Sequence, residues 1–151
     1  MTFCNKLKTM HDLYPCPCCG YSVFSEPEGS YEICPICFWE DDGVQLAYPM
    51  MPGGANTNSV MECQRDFART GACESRFVTN VRTPNESDRR ASGWRQFDPA
   101  IDPHLDDESP EDQARLKSST SESNFYYWMP DYWLADKNNK EAEQDAPSNS
   151  G

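Results

Sequence analysis

Positive charge is scarce in this chain: 13 lysines and arginines stand against 25 aspartates and glutamates, a formal net charge of −12. Proteins hold a phosphate backbone largely by neutralising it with Lys and Arg, so this balance disfavours a nucleic-acid reader. It suits a soluble protein that meets a basic protein partner, because complementary charge speeds encounter, although plain solubility asks for the same excess. No run of 18 or more apolar residues occurs, so no membrane-spanning helix is expected. Histidine is nearly absent: His11 and His104 stand apart from any partner at ligand or catalytic spacing. There is no Gly-rich phosphate loop, and the neighbouring carboxylates belong to acidic runs, so no catalytic constellation is visible. The start, Met1-Thr2-Phe3-Cys4-Asn5-Lys6, lacks the apolar run of an export signal, and the expectation is a cytoplasmic protein whose thiols stay reduced.

Cysteine, by contrast, is abundant. Two short turns, Cys16-Pro17-Cys18-Cys19-Gly20 and Cys34-Pro35-Ile36-Cys37, lie fourteen residues apart. Each offers two thiols at Cys-x-x-Cys spacing, so that one tight knuckle presents both sulfurs to the same ion and two knuckles complete a tetrahedron. Cys16, Cys19, Cys34 and Cys37 are therefore the expected ligands of one structural Zn²⁺. Four cysteinates leave no open coordination position, so such a site builds structure and does not activate water. Competing readings are a pair of disulfides and a redox dithiol, which a reducing compartment and the paired knuckles disfavour. Gly20 after the first knuckle can take the positive φ that such a turn needs. Cys18, inside the knuckle, has no two-residue gap to another cysteine and reads as a spare thiol. An enzyme using Cys18 as a nucleophile activated beside the metal is the remaining catalytic alternative.

The stretch Tyr14-Pro15-Cys16-Pro17-Cys18-Cys19-Gly20-Tyr21, followed by Gly29-Ser30-Tyr31-Glu32-Ile33-Cys34-Pro35-Ile36-Cys37-Phe38-Trp39-Glu40-Asp41-Asp42 and Gly53-Gly54-Ala55-Asn56, resembles the bacterial cysteine-rich CPCC proteins, over about residues 14–99. The family is of unknown activity. The resemblance implies a zinc-ribbon-like bacterial domain and no chemistry; the acidic C-terminal part lies outside it.

The expected fold is small α+β: a zinc-ribbon-like β-hairpin lobe, one or two short helices, and a long, partly irregular acidic C-terminal segment. Residues 1–13 are a loose leader, 14–97 the zinc-ribbon-like domain, 98–124 an acidic linker, 125–134 an aromatic docking segment and 135–151 a disordered tail. Residues 21–25 and 30–34 are rich in β-formers around the turn Glu26-Pro27-Glu28-Gly29, which predicts a hairpin joining the knuckles. Phe38 and Trp39 are placed to shield the thiolates. Residues 44–48 read as a third strand. Ser59 with Glu62 forms a capping box for a helix whose apolar face is Val60, Cys63, Phe67 and Ala68, with Gly71 as its stop. Cys63 there is a small buried hydrophobe, and Cys73 has no assigned role. A second helix over 72–82, with Phe77, Val78 and Val81 inward, competes with a strand over 77–81.

Glu40, Asp41 and Asp42 offer a docking site for a partner's basic groups or for a metal; a solvated acidic face is the simpler expectation. Arg65, Arg69, Arg76, Arg82, Arg89, Arg90 and Arg95 read as partners for Asp41, Asp42 and the acidic segment, with an anion-binding patch as the sharper alternative. Trp94 and Phe97 are expected to pack this stretch onto the hairpin. Residues 98–112 carry seven acids, three prolines and a solvated His104, and read as extended. Six aromatics crowd residues 125–134, so that segment must dock on the chain itself or on a partner, through Tyr127, Trp128, Tyr132 and Trp133.

The function expected from these features is a non-enzymatic, zinc-stapled protein-binding module, in its most concrete form a bacterial immunity or antitoxin protein masking a basic toxin. The opposing class is a zinc-ribbon nucleic-acid or transcription accessory, which needs those arginines gathered on one face.

Overall fold

The computed structural model describes residues 13–136; the leader residues up to 12, with Cys4 and His11, and the tail from 137 lie outside them. The fold is a small α+β domain with a β-hairpin and short helices, in the order β1 (Tyr14–Pro15), β2 (Ser22–Phe24), α1 (Gly43–Ala47), α2 (Val60–Thr70) and α3 (Pro110–Lys117), with a 3₁₀ turn at Ser75–Phe77. β1 and β2 pair antiparallel, Tyr14 opposite Phe24 and Pro15 opposite Ser22, with a bulge between. The strand expected after the first knuckle thus exists, but its partner is the segment before that knuckle, not residues 30–34. Residue 33 instead bridges to Glu40 across the second knuckle. Each knuckle closes its own short hairpin, because a Cys-x-x-Cys turn reverses the chain and brings its own flanks together before any longer loop closes.

α2 follows its sequence signals closely. The Ser59 hydroxyl accepts from the Glu62 N–H and the Glu62 carboxylate accepts from the Ser59 N–H, while Gly71 ends the helix at φ 85°. Val60 and Cys63 face inward as expected, but Ala68 is exposed and the fourth inward position belongs to Gln64.

Three expected elements take another form. The expected strand over 44–48 is instead the helix Gly43–Ala47, because Asp42 caps it: its Oδ1 accepts from Val44 N at 2.9 Å and Gln45 N at 3.1 Å. Residues 72–82 hold only the 3₁₀ turn, with Val78 exposed and Phe77 stacked on Phe38 at 4.7 Å between ring centroids. The acidic linker expected over 98–124, read as extended over 98–112, carries α3 and buries Asp102, Leu105 and Asp112. α3 starts on Ser109, whose hydroxyl accepts from Asp112 N, and has Pro110 in its first turn, acids at its N-terminal end and Arg115 and Lys117 at its C-terminal end, all of which favour helix. The buried acids of this stretch are satisfied: Asp102 accepts from Arg95 and from Asp98 N, and Asp112 from Asp106 N. His104 packs edge-on against Phe97, with centroids 5.2 Å apart, instead of standing in solvent.

Two cores result. The first gathers Cys16, Cys18, Cys19, Cys34, Cys37, Cys63 and Cys73 with Phe24, Ile36, Trp39 and Val60. The second is built from Leu46, Ala47, Tyr48, Phe97 and Leu105 together with Tyr126, Tyr127, Trp128, Tyr132 and Leu134. They meet at the first knuckle. The Pro17 carbonyl accepts from Gln64 Nε2 at 2.9 Å and Trp94 Nε1 at 3.0 Å. Gln64 also donates to the Tyr127 hydroxyl and accepts from Phe97 N, so one buried amide bonds to both cores.

Candidate metal centre

Both knuckles follow one backbone plan. In the first, Gly20 N donates to Cys16 O at 2.6 Å and Cys16 N to Tyr21 O at 2.9 Å; in the second, Phe38 N donates to Cys34 O at 2.8 Å and Cys34 N to Trp39 O at 2.9 Å. The residue after each second cysteine is left-handed, Gly20 at φ 83° and Phe38 at φ 72°. At Gly20 a side chain is excluded twice over, since a Cβ would also lie 2.5 Å from the Trp94 ring. Phe38 accepts the strained conformation, which costs an L-residue roughly 1 kcal/mol, and its ring stacks on Phe77.

The result is a four-thiol cage. The sulfurs of Cys16, Cys19, Cys34 and Cys37 all lie within 4.8 Å of one another, and all four residues are fully buried. One sulfur from each knuckle pairs with one from the other, Cys16 with Cys37 at 3.6 Å and Cys19 with Cys34 at 3.7 Å. A regular tetrahedron with zinc–sulfur bonds of about 2.3 Å has edges of about 3.8 Å, so the donor set and its spacing fit such an ion. Ile36 N points at the Cys34 sulfur at 3.4 Å, a backbone donor suited to a thiolate. Burial pushes the Cys16 and Cys37 thiols up. Burial also raises Cys34, yet hydrogen bonds from Cys16, Cys19 and Cys37 together bring it down. A metal entering this cage therefore displaces protons, and its affinity falls as pH falls.

Trp39 is fully buried beside the cage, with Phe24 6.5 Å away, which matches the expected apolar shield. Three further thiols are gathered there, which spacing alone could not show: Cys18 lies against Cys37 and Cys63, and Cys63 against Cys18 and Cys73. Cys18 is fully buried, so a nucleophile at that position would need the core to open before any substrate reached it.

The expected partner residues fall mostly in the interior. The solvated acidic face is not formed: Asp41 and Asp42 are buried, at 1% and 6% exposure. Asp41 accepts from the Ser30 hydroxyl at 2.7 Å and the Ser30 N–H at 3.1 Å, and Asp42 accepts from Ala55 N besides capping α1. Gly54 sits close enough that a Cβ would lie 2.5 Å from the Asp42 carboxylate. Glu40 is half-buried and its backbone is clasped on both sides by the Asn56 amide. Tyr127, Trp128 and Tyr132 are buried in the second core and Trp133 is half-buried. The exposed acids cluster elsewhere, at Asp106, Asp107, Glu108 and Glu111 around the start of α3.

Four of the seven arginines between residues 65 and 95 form ion pairs among the described residues: Arg69 with Asp66, Arg76 with Glu74, Arg82 with Asp88 and Arg95 with Asp102. None of these pairs uses Asp41 or Asp42. Among the described residues no helix is long and apolar enough to cross a membrane.

Residues 14–88 match the family model described as cysteine-rich CPCC, so this part of the chain is similar to that family. No curated protein matches the chain significantly.

Proposed function

We propose, from the match of residues 14–88 to the CPCC family model and the buried four-thiol cage, that this chain is a non-enzymatic protein-binding module stapled by one structural Zn²⁺ on Cys16, Cys19, Cys34 and Cys37. The observation that carries the reading is the closure of the cage. Its four thiols exhaust a tetrahedral ion's coordination, so the ion supplies structure when bound and has no position left for water or substrate. What the rest of the chain presents is a negatively charged surface, with a net charge of −12 and the exposed acids at 106–111. That surface suits a cytoplasmic protein partner with a basic face, and an immunity or antitoxin protein masking a basic toxin is its most concrete form. Trp133, half-buried, and Glu40 border the surface available to such a partner. Intramolecular pairing occupies Arg69, Arg76, Arg82 and Arg95, and the net charge of −12 opposes a phosphate backbone, which supports the protein partner over the nucleic-acid reading.

The test is binding of the zinc-loaded chain to the basic product of an adjacent gene, measured by calorimetry at two salt concentrations. The expected result is a one-to-one complex that weakens with salt and with charge reversal at Asp106, Asp107, Glu108 and Glu111. Binding to single- or double-stranded nucleic acid with a steep salt dependence, and none to the protein, would overturn it.

A further inference from the structure

We propose that the concavity walled by Arg89 and Arg90 is a binding site for a small oxyanion, a phosphate monoester or a carboxylate, with the Arg90 guanidinium as its fixed anchor. The cavity measures about 580 Å³ and is lined by both arginines, by Ser22 and Ser92, and by the apolar Leu13 and Met129. Its wall is firmly built. Ser22 N donates to Arg89 O at 2.8 Å, Tyr21 bridges to Arg90, and Ala91 N donates to Gly20 O at 2.7 Å, so residues 89–91 run as an added strand along the exit from the first knuckle.

Arg90 is held on three sides. Its Nε donates to the Cys19 carbonyl at 2.9 Å, and its guanidinium carbon lies 4.4 Å from the centre of the Trp94 ring and 4.9 Å from that of Tyr21. The Nε bond and the two ring contacts thereby hold the guanidinium in place, although the residue is exposed. The two terminal nitrogens make no hydrogen bond among the described residues, and they are the pair that grips two oxygens of a carboxylate or phosphate at once. An arginine immobilised by stacking loses little freedom when it binds, which favours a small ligand.

Electrostatic economy makes the site stand out. In a chain with 25 acids, Arg69, Arg76, Arg82 and Arg95 each hold a carboxylate, whereas Arg89 and Arg90, like Arg65 and Arg115, form no ion pair among the described residues; only Arg89 and Arg90 of these line one cavity together. Among the described residues the Arg89 side chain reaches only the Glu86 carbonyl, at 2.8 Å. Both residues line the cavity, and an anion there supplies the counter-charge that they lack among the described residues. Ser22 and Ser92 supply hydroxyls for the remaining oxygens, and Leu13 and Met129 offer contact to an apolar body carrying the anionic head.

The test titrates the full-length, zinc-loaded chain with phenyl phosphate, benzoate and inorganic phosphate, by calorimetry and by amide chemical shifts. Saturable one-to-one binding is expected, with shifts at residues 20–22 and 89–92. Arg90→Gln and Arg89→Gln should each weaken binding about tenfold or more, the loss of one charged hydrogen-bonding group, with zinc content unchanged. Phenyl phosphate tighter than benzoate assigns the ligand to the phosphates, and the reverse order to the carboxylates; either supports the site. No saturable binding of any of the three, or wild-type affinity in both variants, overturns it. Should Arg90→Gln fail to fold, Arg89→Gln alone decides, because the Arg89 side chain bonds to the Glu86 carbonyl rather than to the knuckle among the described residues.

Discussion

The two cores reach the same end by opposite means. The first is small and thiol-rich, and holds together segments separated by 18 to 57 residues, reckoned from Cys16 to Cys34 and to Cys73, with four sulfurs converging on one point. The second has no metal-binding group and relies on area: five residues from the aromatic segment, each aromatic able to bury about 150–250 Å², cover Leu46, Phe97 and Leu105. A cross-link fixes position through a few strong bonds and fails when one is removed, whereas packed area fails in increments. The contrast teaches where each half of the molecule is vulnerable.

The largest effect is expected from Cys34→Ser. Structural zinc sites of this kind bind with about 10–16 kcal/mol, comparable to the whole stability of a small domain, so losing a ligand should release the metal and unfold the first core. Metal analysis of the purified variant, with tryptophan fluorescence reporting on the buried Trp39, measures both consequences. Zinc retained at wild-type stoichiometry, with an unshifted melting temperature, would remove the metal from its central place.

Ending the chain after Asn124 attacks the other core. It deletes Tyr126, Tyr127, Trp128, Tyr132 and Leu134, all buried. Single large-to-small changes at such positions cost about 3–5 kcal/mol each, so the truncated chain should lose most of its stability while the cage, 14–37, keeps its affinity for zinc. Unchanged stability with lost partner binding would instead make the segment a docking surface.

Gln64→Ala tests the joint between them. Its amide donates to Pro17 O and the Tyr127 hydroxyl and accepts from Phe97 N, and it is buried. Truncation strands the Phe97 N–H and leaves Pro17 O only Trp94, a cost of about 3 kcal/mol. Chemical denaturation followed separately at the cage and at the tail should show the single transition split in two. A single transition at unchanged midpoint would mean that the cores are coupled some other way.

These same features mark what could be read from the chain beforehand. The knuckles and α2 were legible because their determinants are neighbours: two cysteines three apart, Ser59 with Glu62, Gly71 at the end. α3 carried equally local signals in Ser109, Pro110 and its ordered charges, but the acidic composition of residues 98–112 suggested an extended chain; the competing fact is that Asp102 and Asp112 find donors in Arg95 and in backbone N–H groups. α1 was hidden for a related reason. Gln45, which looks like an outward residue of a strand, is fully buried, with its amide donating to the Met51, Asn56 and Asn58 carbonyls. The meeting of Cys18, Cys63 and Cys73, the reach of Gln64 to Tyr127 and the contact of Arg90 with Tyr21 join residues far apart in sequence, and no local spacing encodes them.

The smallest effect, and one of opposite sign, is expected at Asp41. Its carboxylate is buried, and burial raises it above the usual aspartate range despite the two bonds from Ser30, with the Glu32 charge adding to the rise. A carboxyl whose folded pKa lies above its unfolded value binds its proton more tightly in the folded state. Stability therefore falls as pH rises from the unfolded value of about 3.9 through the folded one, and the deficit persists at neutral pH. Asp41→Asn keeps an oxygen that can accept both Ser30 bonds and removes the charge facing Glu32 and Glu28. At pH 7 the variant should be as stable as the parent or slightly more so, and the difference should shrink below pH 4, where the parent carboxyl is protonated in both states. Melting curves of the two proteins across that range measure it. A marked destabilisation by Asn at pH 7 that vanishes in acid would show that the Asp41 charge stabilises the loop around Ser30, and would place this acid among the favourable contacts of the first core.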